Sequence, residues 1–136
     1  MTATVTLATA TRRPLLKVGA AAGLVAAAAT TVVAVLSRAA GISLDIADEA
    51  VPLYGFAQLT FIAALLGVGI AALCRRAAAP RTRFLQVTLA LVAVSFVPDV
   101  TADAALSTKL LLMTTHLVAA AVVIPALAAR LPRHAH

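Results

Sequence analysis

Tryptophan is absent from this 136-residue chain, tyrosine occurs once and phenylalanine four times. So few rings leave little to stack on bases. The net charge of +6 and the pI near 11.2 therefore do not describe a nucleic-acid surface. A single cysteine, Cys74, excludes an internal disulfide, a CxxC redox pair and a cysteine zinc site. It reads as a small apolar packing residue. Acids are scarce as well. All five fall in two short polar stretches, as Asp45, Asp48 and Glu49, then Asp99 and Asp103. No apolar stretch contains one, so no carboxylate is expected at membrane depth. That argues against a proton- or cation-coupled carrier. It also leaves the one intramembrane histidine, His116, without an acid at its level for a catalytic triad.

Apolar residues make up 62% of the chain and the mean hydropathy is +1.04. A soluble chain this short has no core large enough to hide that surface, which makes lipid the expected solvent. Four apolar stretches separate five polar ones. Nine of the eleven Lys/Arg lie in the first, third and fifth polar stretches, among them Arg12, Arg13, Arg75, Arg76, Arg81, Arg83 and Arg130. The order basic, acidic, basic, acidic, basic is that of a chain crossing a bilayer four times. Positive residues stay on the cytoplasmic side, so both termini are expected inside, in a bacterial cytoplasmic membrane.

The expected fold is all-α, an integral membrane four-helix bundle with helices over about 15–36, 51–74, 83–97 and 108–129. A disordered tail over 1–14 precedes the transmembrane domain of 15–131, and a cytoplasmic tail over 132–136 follows it. The third helix is expected to be short, because Pro98-Asp99 terminates it; continuation past Pro98 with a kink is the other reading. Gly41 to Leu44 reads as a turn. Asp45, Asp48 and Glu49 share one face at helical spacing near the positive end of helix two. Thr11-Arg12-Arg13-Pro14-Leu15-Leu16-Lys17 is similar to a twin-arginine export signal. The apolar run behind it is longer than such signals carry, so a retained first helix is favoured. A faint repeat at an offset of 55 pairs Ala47-Asp48 with Ala102-Asp103 and Arg75 with Arg130.

Candidate functional residues are few. Gln58 and His116 each lie seven residues inside a polar boundary, roughly 10 Å deep at 1.5 Å per residue. Thr31, Thr60 and Thr115 fall near the same level. Together they suggest a polar layer in the outer third of the bundle. It is either a set of interhelical hydrogen bonds or a ligand-contacting site. His116 has no second intramembrane histidine to share a haem. The outer acids form a weak Ca²⁺ site only if their two loops converge. Lys109 is expected to pair with one of them. Gly19, Gly23 and Ala27 put small residues on one face of helix one, where another helix can approach closely. No catalytic set, metal site or cofactor is expected.

The stretch from Thr108 through His116 to Pro125 and Ala128 resembles the last helix of a family of small actinobacterial four-helix membrane proteins of unknown function. The resemblance extends to the whole layout: basic tail, helix, acidic loop, Pro-led second helix, basic loop, short third helix, Pro-Asp, and a last helix with His and Pro. It implies a fold and a membrane location but no activity. The expected function is a non-enzymatic accessory, assembly or structural membrane protein. Its partners would be the lipid bilayer and a second copy or another membrane protein, with no nucleic acid. The alternative is a small carrier or a lipid- or small-molecule-binding protein using the polar layer.

Overall fold

A computed structural model describes residues 2–134, with side chains from Pro14 to His134. The elements in order are α1 (Thr2–Ala39), β1 (Asp45–Ile46), β2 (Glu49–Ala50), α2 (Leu53–Cys74), α3 (Pro80–Thr101) and α4 (Leu106–Ala128). The backbone of α1 runs from Thr2, where the sequence suggested a tail. The side chains of that segment lie outside the described residues, as do residues 135 and 136 of the C-terminal tail.

Among the described residues four helical stretches are long and apolar enough to cross a membrane: Pro14–Ala39, Leu53–Cys74, Pro80–Thr101 and Leu106–Ala128, with mean hydropathies of 2.1, 2.1, 1.7 and 2.2. Large apolar side chains stand exposed on all of them, including Leu24, Leu59, Leu66, Leu89, Val94 and Leu117. An apolar belt of this extent calls for an apolar surrounding. The lengths and compositions are those of a multi-pass membrane protein.

The third helix is not short. It spans 22 residues, about 33 Å. Pro80 occupies its first turn, where the missing N–H costs nothing, so the helix starts earlier than expected. At the other end Pro98 does not stop it. A proline removes one backbone bond, and packed neighbours make the loss tolerable in apolar helices. Here the next turn is held from several sides. Thr101 Oγ1 donates to the Val97 carbonyl at 2.8 Å, the Ala102 N–H donates to the Pro98 carbonyl at 2.8 Å, and Asp99 is engaged by α4. Lys109 Nζ donates to the Val100 carbonyl at 2.9 Å, bringing a cation to a helix C-terminus. Lys109 thus caps α3 instead of pairing with an outer acid as expected.

The acidic stretch after α1 is also not helical. Gly41, at φ +85°, ends α1. The Gly41 N–H donates to the Arg38 carbonyl and the Ile42 N–H to the Ser37 carbonyl, both at 3.0 Å, which is the Schellman pattern. Asp45 then pairs with Ala50 and Ile46 with Glu49 in a small antiparallel hairpin. Its two-residue loop, Ala47-Asp48, has φ values of 52° and 62°, as a type I′ turn requires. Helical spacing of the three acids was therefore a coincidence of sequence. The hairpin rests on the α3–α4 loop through the Ala47 N–H and the Asp103 carbonyl at 2.8 Å. Thr108 Oγ1 adds a bond to the Ser43 carbonyl at 2.7 Å. The two acidic loops do converge, but no group of three ligating side chains lies close enough to hold a metal among the described residues.

At the opposite end the Arg81 N–H donates to the Pro132 carbonyl at 3.2 Å, gathering the two basic segments. The core has two parts. Leu15, Ala22, Ala26, Ala64, Ala71, Phe84 and Leu127 fill the basic half, with Cys74 buried among them. Ala34, Leu44, Phe56 and Leu111 fill the acidic half. α1 packs most closely on α2 and α4, while α3 leans on α4 and meets α2 only lightly.

Candidate functional site

The light contact between α2 and α3 leaves a cleft of about 420 Å³ bounded by α2, α3 and α4. Its walls are apolar for most of their length. Gly67, Ala119 and Ala120 keep it open because they project little or no side chain. Its polar lining consists of Thr60, Thr88, Ser95 and His116.

The hydroxyls are committed elsewhere. Thr88 Oγ1 donates to the Phe84 carbonyl at 2.8 Å and Ser95 Oγ to the Val92 carbonyl at 2.6 Å. Thr60 and the fully buried Thr30 share a bond of 3.0 Å between their hydroxyl oxygens. His116 differs. Its Nδ1 lies 2.7 Å from Asp99 Oδ2. The Asp99 side chain is 8% exposed and that of His116 41% exposed. Asp99 does not line the cleft. His116 does line it, with Phe96 tilted beside the imidazole at 6.3 Å between ring centroids.

This overturns the expectation that no acid shares the level of His116. Measured by backbone position, Asp99 lies near the end of α3 and His116 lies well inside α4. Every Cα–Cβ bond in a helix tilts toward that helix's N-terminus. α3 and α4 are antiparallel, so the Asp99 side chain reaches inward and the His116 side chain reaches outward. They meet across 17 residues of sequence. It is the one ion pair among the described residues.

The other sequence candidates scatter. Gln58 is exposed on α2. Thr31 and Thr115 turn back onto their own helices, donating to the carbonyls of Ala27 and Leu112 at 2.7 Å each. Of the five candidate polar residues, only Thr60 and His116 reach the cleft. The structure adds Asp99, Ser95, Thr88 and Phe96. Of these, Asp99 had a sequence signal, as the acid of the Pro98-Asp99 pair that follows an apolar run.

The Gly19, Gly23 and Ala27 face is taken up within the chain. A Cβ on Gly19 would collide with Val68 and approach Leu127, and one on Gly23 would stand 2.8 Å from the Ala64 Cβ. Ala27 is buried. These residues let α1 close on α2 and α4.

Chemically, Asp99 and His116 form an acid–imidazole pair that could belong to a catalytic set only with a nucleophile bonded to it. Such a nucleophile is missing from the hydrogen-bond pattern, since Ser95 donates to Val92 and His116 makes no second bond among the described residues. The arrangement leaves one ring nitrogen, Nε2, without a partner among the described residues, on a residue that lines the acidic end of an apolar slot.

No curated protein and no solved structure matches this chain. Residues 10–133, almost the whole of it, match the Family of unknown function (DUF6069), and the chain belongs to that family.

Proposed function

We propose that this is a non-enzymatic membrane protein that binds a small lipid-like molecule in the cleft between α2, α3 and α4. The observation that carries the reading is the half-exposed His116, fixed by Asp99, at one end of an otherwise apolar slot. Ligand pockets combine apolar walls with a few placed polar groups, in volumes of roughly 300–1,000 Å³. The cleft runs along α3 from Ser95 to Phe84, about 16 Å at 1.5 Å per residue, which suits an acyl or prenyl tail. Lipid already surrounds the apolar belt, and an ionisable pair at depth is more often functional than structural. The basic end faces the cytoplasm in this reading, placing both termini inside a cytoplasmic membrane.

This reverses the order suggested by sequence, in which an accessory or assembly role came first. That role relied on the Gly19–Gly23–Ala27 face, which α2 and α4 cover. Association with a second copy or another membrane protein would need a different surface.

The test is native mass spectrometry of the protein extracted in its own lipid, beside an Ala120→Phe variant that fills the cleft. The expected result is one small lipid-like molecule per chain in the parent and none in the variant. Equal retention by both would overturn the reading. A discrete oligomer holding no ligand would restore the assembly role.

A further inference from the structure

From the charge and hydrogen bonding of the pair, and resting on the cleft-binding reading above, we infer that the bound molecule carries a neutral carbonyl head that accepts a hydrogen bond from His116 Nε2. A buried carboxylate must be paired or must take up a proton. Among the described residues His116 is the one cation-forming group within ion-pair reach of Asp99. A neutral ring donating Nδ1–H to an ionised Asp99 would leave the buried carboxylate without a countercharge, so the pair has two arrangements with no net charge. In one, Nδ1–H of a charged imidazole donates to an ionised Asp99. In the other, a protonated Asp99 donates to Nδ1 of a neutral ring. Both leave a hydrogen on Nε2. Asp99 holds Nδ1, so the N–H that His116 can offer to the cleft it lines is that of Nε2.

That donor has no acceptor among the described residues. The remaining polar groups of the cleft direct their hydroxyl hydrogens to backbone carbonyls or into the Thr30–Thr60 pair. No lysine or arginine lines the cleft, so a phosphate or carboxylate head would bury a charge with only the shared pair to meet it. A carbonyl satisfies the single donor and adds no charge. A hydrocarbon leaves it unpaired. Ketones, esters and quinones share this chemistry.

The experiment uses the full chain in phosphatidylcholine nanodiscs. Its probes are a long-chain methyl ketone labelled with ¹³C at the carbonyl, the matching alkane and the matching carboxylate. Binding is read by competition in native mass spectra, and the carbonyl stretch by infrared difference spectroscopy. We expect the ketone to be retained about tenfold over the alkane, the order of one buried hydrogen bond, with its carbonyl stretch lowered. The carboxylate should be retained less than the ketone. In Asp99→Asn the amide can either donate to Nδ1 or accept from it, so the preference and the lowered stretch should fall together. In His116→Phe the cleft should keep both ketone and alkane, without preference. Parallel arms with a methyl ester and an alkylated benzoquinone separate the carbonyl sources. Equal retention of ketone and alkane in the parent, or a preference for the carboxylate, would overturn the carbonyl head and leave the cleft reading standing. Retention of no probe, with Ala120→Phe behaving identically, would overturn both.

Discussion

Asp99 and His116 depend on each other unequally. His116→Ala strands a carboxylate that is 8% exposed, and an unpaired buried polar group costs about 1–3 kcal/mol. Asp99→Leu leaves an imidazole that is 41% exposed and able to turn toward lipid head groups. We therefore expect His116→Ala to lower stability by about 2 kcal/mol and Asp99→Leu by under about 1 kcal/mol, measured by denaturant titration in detergent micelles. Equal losses would mean that the aspartate is solvated from another side. Thr30→Ala removes a fully buried hydroxyl bonded to Thr60 and to the Ala27 carbonyl. Its expected loss is about 0.6 kcal/mol, the usual worth of a polar contact between apolar helices. At this scale the sequence was half legible. His116 was visible as the one histidine within an apolar run. Asp99 was hidden, because depth counted along the backbone ignores which way a side chain leans. Gln58 looked equivalent to His116 by spacing, but spacing does not say which face of α2 turns toward α3.

Helices were easier to find than their ends. Hydropathy and length mark four spans without reference to any contact, and all four are present. The end of α3 was misplaced because a proline disfavours the helix locally, whereas His116, Lys109 and Ala102 hold that turn through later parts of the chain. The hairpin was missed for a related reason. Ala47 is a poor residue for φ > 0, so the turn carried no Asn-Gly signature; it is the Asp103 carbonyl that secures it. A left-handed backbone costs an L-residue roughly 1–2 kcal/mol. Ala47→Gly should thus raise stability by about 0.5–1 kcal/mol after glycine's own entropic penalty, seen as a higher melting temperature with unchanged helix content. Gly23→Leu should do the opposite. It drives a side chain into Ala64 and Phe61, and overpacking of this kind costs about 1–3 kcal/mol or more. The loss should appear in the isolated monomer, because the contact lies within one chain.

For the molecule as a whole, charge divides the two ends. Asp45, Asp48, Glu49 and Asp103 gather at the hairpin end, and Arg75, Arg76, Arg81, Arg83, Arg130 and Arg133 lie at the other. The proposed orientation, basic end inside, rests on the rule that basic loops are retained in the cytoplasm. A single cysteine at position 133, in a Cys74→Ala background, should resist a membrane-impermeant thiol reagent in intact cells. One at position 48 should react. The reverse pattern would invert the molecule. The loose fit of α3 against α2 has its own consequence. Leu66 and Leu91, which line the cleft, are exposed, so in the proposed membrane setting its mouth would open sideways into the hydrocarbon. A guest would arrive by two-dimensional diffusion through the leaflet without ever meeting water. Occupancy should then follow the guest's mole fraction among lipids, and diluting the sample with buffer should leave it unchanged.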